Sequence, residues 1–273
     1  MFSCFHSVGL PDLSIDRVIR RAARAGYSGI ELNAETLPWA KPHVTPATET
    51  DMRRTIVDLC THSGLVIPAV GAHIGMVSDD KAARQSSVAF VEGCIDLARD
   101  VQSPVVHILS GARAANVTAA DARRWFAEAV EKAVAYAEMR GIRLAIEAIA
   151  GHAFHCTDDY HRLAEDLPGV PFYVNFDPSH LEVQHENPLR IVDELADKIV
   201  NVHVKDGKGL YPDFRFPPLG EGTIDFAALV CGLRKAGYSG AMSVEYEAQI
   251  FGYVRSQEQI VDGGLAFLRG LGV

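Results

Sequence analysis

Eight short β-rich runs, each followed by a longer run with helical periodicity, leave this chain few ways to fold. The runs are Phe2–His6, Gly29–Asn33, Val66–Val70, Val105–Leu109, Arg143–Glu147, Phe172–Asp177, Ile199–Lys205 and Ala241–Tyr246. Strands that alternate with helices are parallel and joined by right-handed crossovers. Eight such units in 273 residues predict one closed (β/α)8 TIM barrel spanning residues 1–273 as a single domain, since that architecture needs about 250 residues. An open dinucleotide-binding sheet is disfavoured, because no G-x-G-x-x-G follows the first run.

The helical runs carry their own signals. In Asp121–Arg140, the residues Trp125, Phe126, Ala129, Val130, Ala133, Val134 and Ala137 recur at the spacing of one helix face. Thr118 with Asp121 predicts an N-terminal cap and Gly141 a stop. The echo between Ala25–Gly29 and Ala236–Gly240, both AGYSG, marks two helix-to-strand turns.

Composition narrows the function classes. Hydrophobic residues reach 48%, enough for a large core, and the net charge is −9. Such a chain offers no basic face for nucleic acid and no attraction to an anionic membrane. The five cysteines are scattered and form no C-x-x-C pair, so free thiols in a reducing compartment are expected. No basic stretch precedes an apolar run at the N-terminus, and no apolar run has the length of a membrane span. A cytoplasmic protein is the expectation.

The polar residues at the strand ends carry the chemistry. Side chains alternate along a strand. In the seventh run Val200, Val202 and Val204 should pack on helices, while Asn201, His203 and Lys205 face the barrel interior. By the same alternation Glu147, Asn175, Asp177, Ser243 and Glu245 face inward. Glu147, Asp177, His203 and Glu245 thus close four consecutive strands at their C-terminal ends. A lone carboxylate there is often a helix cap or an ion-pair partner. Three converging in one mouth repel each other and resist desolvation, unless a dication neutralises them. Oxygen-rich ligands with one imidazole suit Mn²⁺, Mg²⁺ or Co²⁺, with Zn²⁺ also compatible.

The strings IEAIAGH (146–152), NFDPSH (175–180), VHVKDG (202–207), PPLGEGTIDF (217–226) and SVEYE (243–247) resemble the xylose isomerase-like superfamily of sugar isomerases and epimerases. The likeness extends over nearly the whole chain. It implies that Glu147, Asp177, His203 and Glu245 hold one divalent metal, commonly Mn²⁺. It further implies that Glu147 and Glu245 transfer protons and that His180 contacts substrate or metal.

Further substrate-binding candidates are His6, His73 and His107 at the ends of strands one, three and four, Glu31 at the end of strand two, Lys205, and Arg215. His73 and His107 also resemble extra metal ligands of the apurinic-site endonucleases in this superfamily. Arg215 lies in the long connection Asp206–Thr223, whose position after a strand puts it on the active face of a barrel.

The expected activity is a metal-dependent isomerase or epimerase acting on a sugar or polyol through an enediolate. A lyase that eliminates a β-leaving group after the same proton abstraction, as in inosose dehydratases or C-glycoside-cleaving relatives, is the competing reading. Ala153 and Gly209 stand where the ketose 3-epimerases carry an acidic residue and an arginine, which weakens that narrower assignment. The apurinic-site endonucleases need a D-x-H pair after strand seven; Asp213-Phe214-Arg215 lacks the histidine. No glycine-rich loop with a basic residue opens a helix after strands seven or eight, so an unphosphorylated substrate is expected. Self-association into a homo-oligomer is an expectation by analogy alone.

Overall fold

Successive strands lie side by side around a closed parallel barrel in the computed structural model, which describes residues 1–273. In chain order the elements are β1 (Phe2–His6), α1 (Ile15–Ala25), β2 (Gly29–Asn33), α2 (Thr50–His62), β3 (Val70–Gly71), α3 (Lys81–Asp100), β4 (Val105–Ile108), α4 (Ala119–Glu138), β5 (Arg143–Ile146), α5 (Thr157–Asp166), β6 (Tyr173–Phe176), α6 (Pro178–Glu182), α7 (Leu189–Leu195), β7 (Ile199–Val204), β8 (Lys208–Leu210), β9 (Asp213–Arg215), α8 (Phe226–Lys235), β10 (Ala241–Val244) and α9 (Gln257–Gly270). The barrel order is β1-β10-β7-β6-β5-β4-β3-β2, while β8 and β9 form a separate two-stranded sheet. The single-domain (β/α)8 barrel expected from the alternation is the fold observed.

The helix ends follow local chemistry. Thr118 Oγ1 accepts the Asp121 N–H at 3.0 Å and starts α4. Gly26 ends α1 at φ +98°, where a Cβ would be strained. Outward strand residues such as Leu144, Ile146, Val174, Phe176, Val202, Val204, Met242 and Val244 are buried in the apolar shell with Val130, Val134 and Leu233 of the helices. No helix is long and apolar enough to cross a membrane.

Three local expectations differ from the structure. The third strand is Val70–Gly71 rather than Val66–Val70, with one isolated bridge between Gly29 and Val66. Pro68 has no N–H to give the ladder, so pairing breaks across it. Val200 does not pack on the helices. The pairing of β6 and β7 shifts between Val174 and Asn175, and this bulge turns Val200 inward with Asn201. Val200 thereby packs against Ala69, Val105, Ala145 and Tyr173 across the barrel floor. The connection Asp206–Thr223 is not structureless: it contains the antiparallel hairpin β8–β9, with Lys208 opposite Arg215.

Candidate metal centre

The barrel interior is apolar only at its floor. Above Ala69, Val105 and Ala145 lie buried polar side chains, including Glu31, His107, Asn175, Asn201 and His203. At the C-terminal mouth stand Glu147, Asp177, His180, Lys205 and Glu245, also buried. Most barrels of this kind fill the interior with branched aliphatics. Here the filling is hydrogen-bonded.

Glu147, Asp177, His203 and Glu245 each present one ligand atom, and these four atoms lie within 4.8 Å of one another. His203 Nδ1 is 3.3 Å from Glu245 Oε2 and 3.6 Å from Glu147 Oε2. Glu147 follows β5 directly, with its N–H bonded to Ile108 O at 2.9 Å, and its Oε2 accepts from Asn175 Nδ2 at 2.7 Å. Asp177 caps α6: its Oδ1 accepts the Ser179 N–H at 2.8 Å. Its Oδ2 is buried without a hydrogen bond and lies 2.9 Å from Lys205 Nζ, close enough for ion pairing but off the line of a hydrogen bond. A carboxylate oxygen without a hydrogen bond, beside two further carboxylates and an imidazole, is an arrangement that a small divalent cation satisfies. The residues therefore fit the metal that the sequence implies.

Lys205 supplies positive charge to this group. Its Nζ lies 2.7 Å from Glu245 Oε2 and 3.0 Å from Glu247 Oε2, and 4.7 Å over the Phe216 ring. His180 Nε2 stands 3.6 Å from both Glu147 Oε1 and Asp177 Oδ2, with its ring edge-on to Phe216 at 5.0 Å.

The other candidates lie at different depths. His73 is near the mouth, with Nε2 3.3 Å from Glu147 Oε2 and 2.8 Å from His107 Nδ1, and Nδ1 3.2 Å from Glu35 Oε2. Glu31 is fully buried beneath the four ligands. It is approached by His107 Nε2 at 2.6 Å, His203 Nε2 at 3.0 Å and His6 Nε2 at 3.6 Å. His107 therefore bridges Glu31 below and His73 and Glu147 above, the last at 3.8 Å from its Nδ1, while His6 faces Glu31 and its Nδ1 accepts the Val8 N–H. Arg215 is exposed on β9 and takes no part in the contacts that build the cluster.

Electrostatics follow from crowding. Burial opposes the charges on Glu147, Glu245 and Glu31, yet His203 and the neighbouring cations hold all three below the usual carboxylate range. Burial likewise opposes the His203 charge, but Glu245, Glu31 and Glu147 raise it well above an ordinary imidazole. His73 is pushed up to about 10, burial being outweighed by Glu35 and Glu147. Glu247 is pushed up to about 7 by burial despite Lys205. Without a dication, protons on His203, His73 and Lys205 supply the positive charge that the carboxylates require. A metal that takes His203 as ligand displaces its proton.

Sequence reasoning assigned no role to Glu35, Glu247 or Asp206. Glu247 was legible in principle: it is two residues past Glu245, with the same parity. Asp206 closes the connection that follows β7. Its carboxylate accepts the N–H groups of Gly207, Gly220 and Gly222 at 3.0, 3.0 and 2.9 Å, which fastens both ends of the loop. The hairpin places Tyr211 against Gly151, where a Cβ would come within 2.7 Å of the ring. Phe214, Phe216 and Phe251 form one aromatic group, with ring centroids 5.1–5.9 Å apart, and Phe216 joins that group to His180.

Comparison with known proteins agrees with this architecture. The family described as xylose isomerase-like TIM barrel matches residues 19–271. An L-ribulose-5-phosphate 3-epimerase of Shigella flexneri serotype 5b is 26% identical over 255 residues, covering 83% of this chain and 80% of that protein. The crystal structure of a 3-keto-D-glucoside 4-epimerase, YcjR, from E. coli superposes with a TM-score of 0.80 at 14% identity, over 99% of this chain and 100% of the other. The IOLI protein, crystallised with a zinc atom, gives a TM-score of 0.76 at 14% identity, over 100% of this chain and 97% of the other.

Proposed function

The chain belongs to the xylose isomerase-like TIM barrel family, and on that premise we propose that it is a divalent-metal-dependent isomerase or epimerase of an unphosphorylated sugar or polyol. The observation that carries the proposal is the convergence of Glu147, Asp177, His203 and Glu245, all buried, at the barrel mouth. These four residues would hold the metal, Mn²⁺ being the best match to three carboxylates and one imidazole. When bound, the metal supplies Lewis-acid polarisation of a substrate carbonyl and its neighbouring hydroxyl.

The remaining work belongs to the chain. Glu147 follows β5 and Glu245 follows β10, with β6 and β7 between them in the barrel, so the two carboxylates approach a bound sugar from different sides. One removes the proton next to the carbonyl. The other returns a proton, to the opposite face in an epimerisation or to the adjacent carbon in an isomerisation. His180 stands beside Glu147 and would donate to a substrate oxygen, while Lys205 stands beside Glu245 and balances its charge. The aromatic group of Phe214, Phe216 and Phe251 keeps bulk water from the reacting centre. Lys205 is the cation buried at the mouth and is already committed to Asp177, Glu245 and Glu247. That commitment favours an uncharged sugar over a phosphorylated one.

The relatives named as epimerases of L-ribulose-5-phosphate and of a 3-keto-D-glucoside support epimerase chemistry, and the phosphate of the first is the point on which this proposal departs from it. Metal analysis of the reconstituted protein, with a product screen on ketoses, keto-inositols and 3-keto glycosides, tests the proposal. Retention of all atoms in the product is expected, whereas loss of water or an aglycone would identify a lyase. Glu147→Gln should lower turnover at least 10²–10⁴-fold, the usual worth of a general base. Unchanged turnover in that variant would remove Glu147 from the mechanism.

A further inference from the structure

Glu31 lies below the proposed metal ligands, fully buried, with donors arriving from three directions. His107 Nε2 is 2.6 Å and His203 Nε2 3.0 Å from its Oε1, and Asn201 Nδ2 lies 3.3 and 3.2 Å from its two oxygens. Asn201 is held in turn by Asn175 Oδ1 at 2.8 Å. An ionised carboxylate can only accept hydrogen bonds, and it has about four lone-pair sites for them. Both rings must therefore carry hydrogen on Nε2.

For His203, Nε2 is thereby committed to Glu31, and Nδ1 is the nitrogen left for a metal, which would displace its proton. Its Nδ1 faces the carboxylates of Glu245 and Glu147 at 3.3 and 3.6 Å, and its Nε2 faces Glu31. Histidines that bind metals are commonly oriented by a carboxylate on the other nitrogen, which fixes the ring and makes the ligand nitrogen more basic. We propose that Glu31 is a positioning residue that holds His203 in its Nε2–H form, presents Nδ1 to the metal, and thereby sets metal affinity from inside the barrel. The inference rests on the metal reading above. It replaces the expectation that Glu31 meets substrate hydroxyls, because the carboxylate is enclosed by His107, His203 and Asn201.

The test uses the full chain. Glu31→Gln keeps the shape but turns an amide N–H₂ toward groups that only donate. Mn²⁺ affinity is measured by competition with a chelating dye, and thermal unfolding is followed with and without Mn²⁺. The expected result is a dissociation constant raised about 10–100-fold and a smaller metal-induced rise in Tm. Ile30→Ala, buried on the other side of the same strand, serves as the stability control and should lower Tm without moving the affinity. Equal weakening of affinity in both variants, or none in Glu31→Gln, overturns the proposal. Should Glu31→Gln fail to fold, ring ¹⁵N–¹H spectra of the Zn²⁺-loaded wild type decide. A proton on Nε2 of His203 supports the proposal, and a proton on Nδ1 overturns it. A wild-type chain that takes up no divalent ion removes the metal reading and this inference together, whereas wild-type uptake with unaltered Glu31→Gln affinity removes only the role of Glu31.

Discussion

Lys205→Met tests how the mouth tolerates its own charge. Methionine keeps most of the stem and deletes the ammonium, which lies 2.9, 2.7 and 3.0 Å from Asp177, Glu245 and Glu247. Lys205 is 3% exposed, so water cannot take over the lost pairing. Removing one partner from a buried ion pair costs about 3–5 kcal/mol, because the other charge is left uncompensated. At about 2–4 °C per kcal/mol for a large domain, the metal-free variant should melt about 6–20 °C lower. The penalty should depend on pH. Glu247, already at about 7 through burial, loses its cation and rises further. A carboxyl whose folded pKa exceeds its unfolded value keeps its proton longer in the native state, so stability falls as pH rises through that window. The deficit should therefore be larger at pH 8 than at pH 6, and saturating Mn²⁺ should shrink it by supplying the missing positive charge. Differential scanning calorimetry at the two pH values, with and without metal, measures all three effects. A metal-free variant that melts with the wild type at pH 8 would refute the view that Lys205 balances the buried carboxylates.

Two further outcomes are expected. Gly222→Ala puts a methyl group against the Asp206 carboxylate, which must then release backbone N–H groups at a cost of about 1–3 kcal/mol for each one left unsatisfied; limited proteolysis should cut residues 208–215 faster than in the wild type, and an unchanged cleavage rate would show that Asp206 does not fasten the hairpin. His152 is held near pKa 4, chiefly by burial, against 6.5 when unfolded; stability from keeping it neutral is complete above pH 6.5 and is lost as pH falls towards 4, so denaturant titrations of the metal-free chain at pH 7.5 and pH 5 should show less loss of stability on acidification in His152→Asn than in the wild type.

Much of this molecule is legible from residue order. Alternation located seven of the eight barrel strands to within about two residues at each end, a scatter usual for element boundaries, and parity put Glu147, Asp177, His203 and Glu245 on the inner side. What parity could not supply was depth. Glu31 and Glu245 both point inward, but Glu31 receives His107, His203 and Asn201 while Glu245 meets Lys205. One therefore lies among imidazoles in the interior and the other at the opening. Val200 escaped because a bulge depends on the partner strand, which no local pattern reveals. Pro68 was visible and should have shortened the third strand. The hairpin Lys208–Arg215 was obscured by a segment rich in turn formers, and its aromatic contacts with Phe251 and Gly151 join parts of the chain far apart in sequence.

The change from aliphatic floor to polar upper layers makes this barrel two materials set end to end. Around Ala69, Val105, Ala145 and Val200, shape alone decides what fits, and swaps among similar aliphatics should be absorbed by small shifts. Higher up, around Asn175, Asn201 and Glu31, rigidity comes from directional bonds that tolerate neither a missing donor nor a surplus one. Sequence drift should therefore be graded along the barrel axis, permissive at the closed end and frozen at the open one, with new specificities arising in the loops above rather than in the strands.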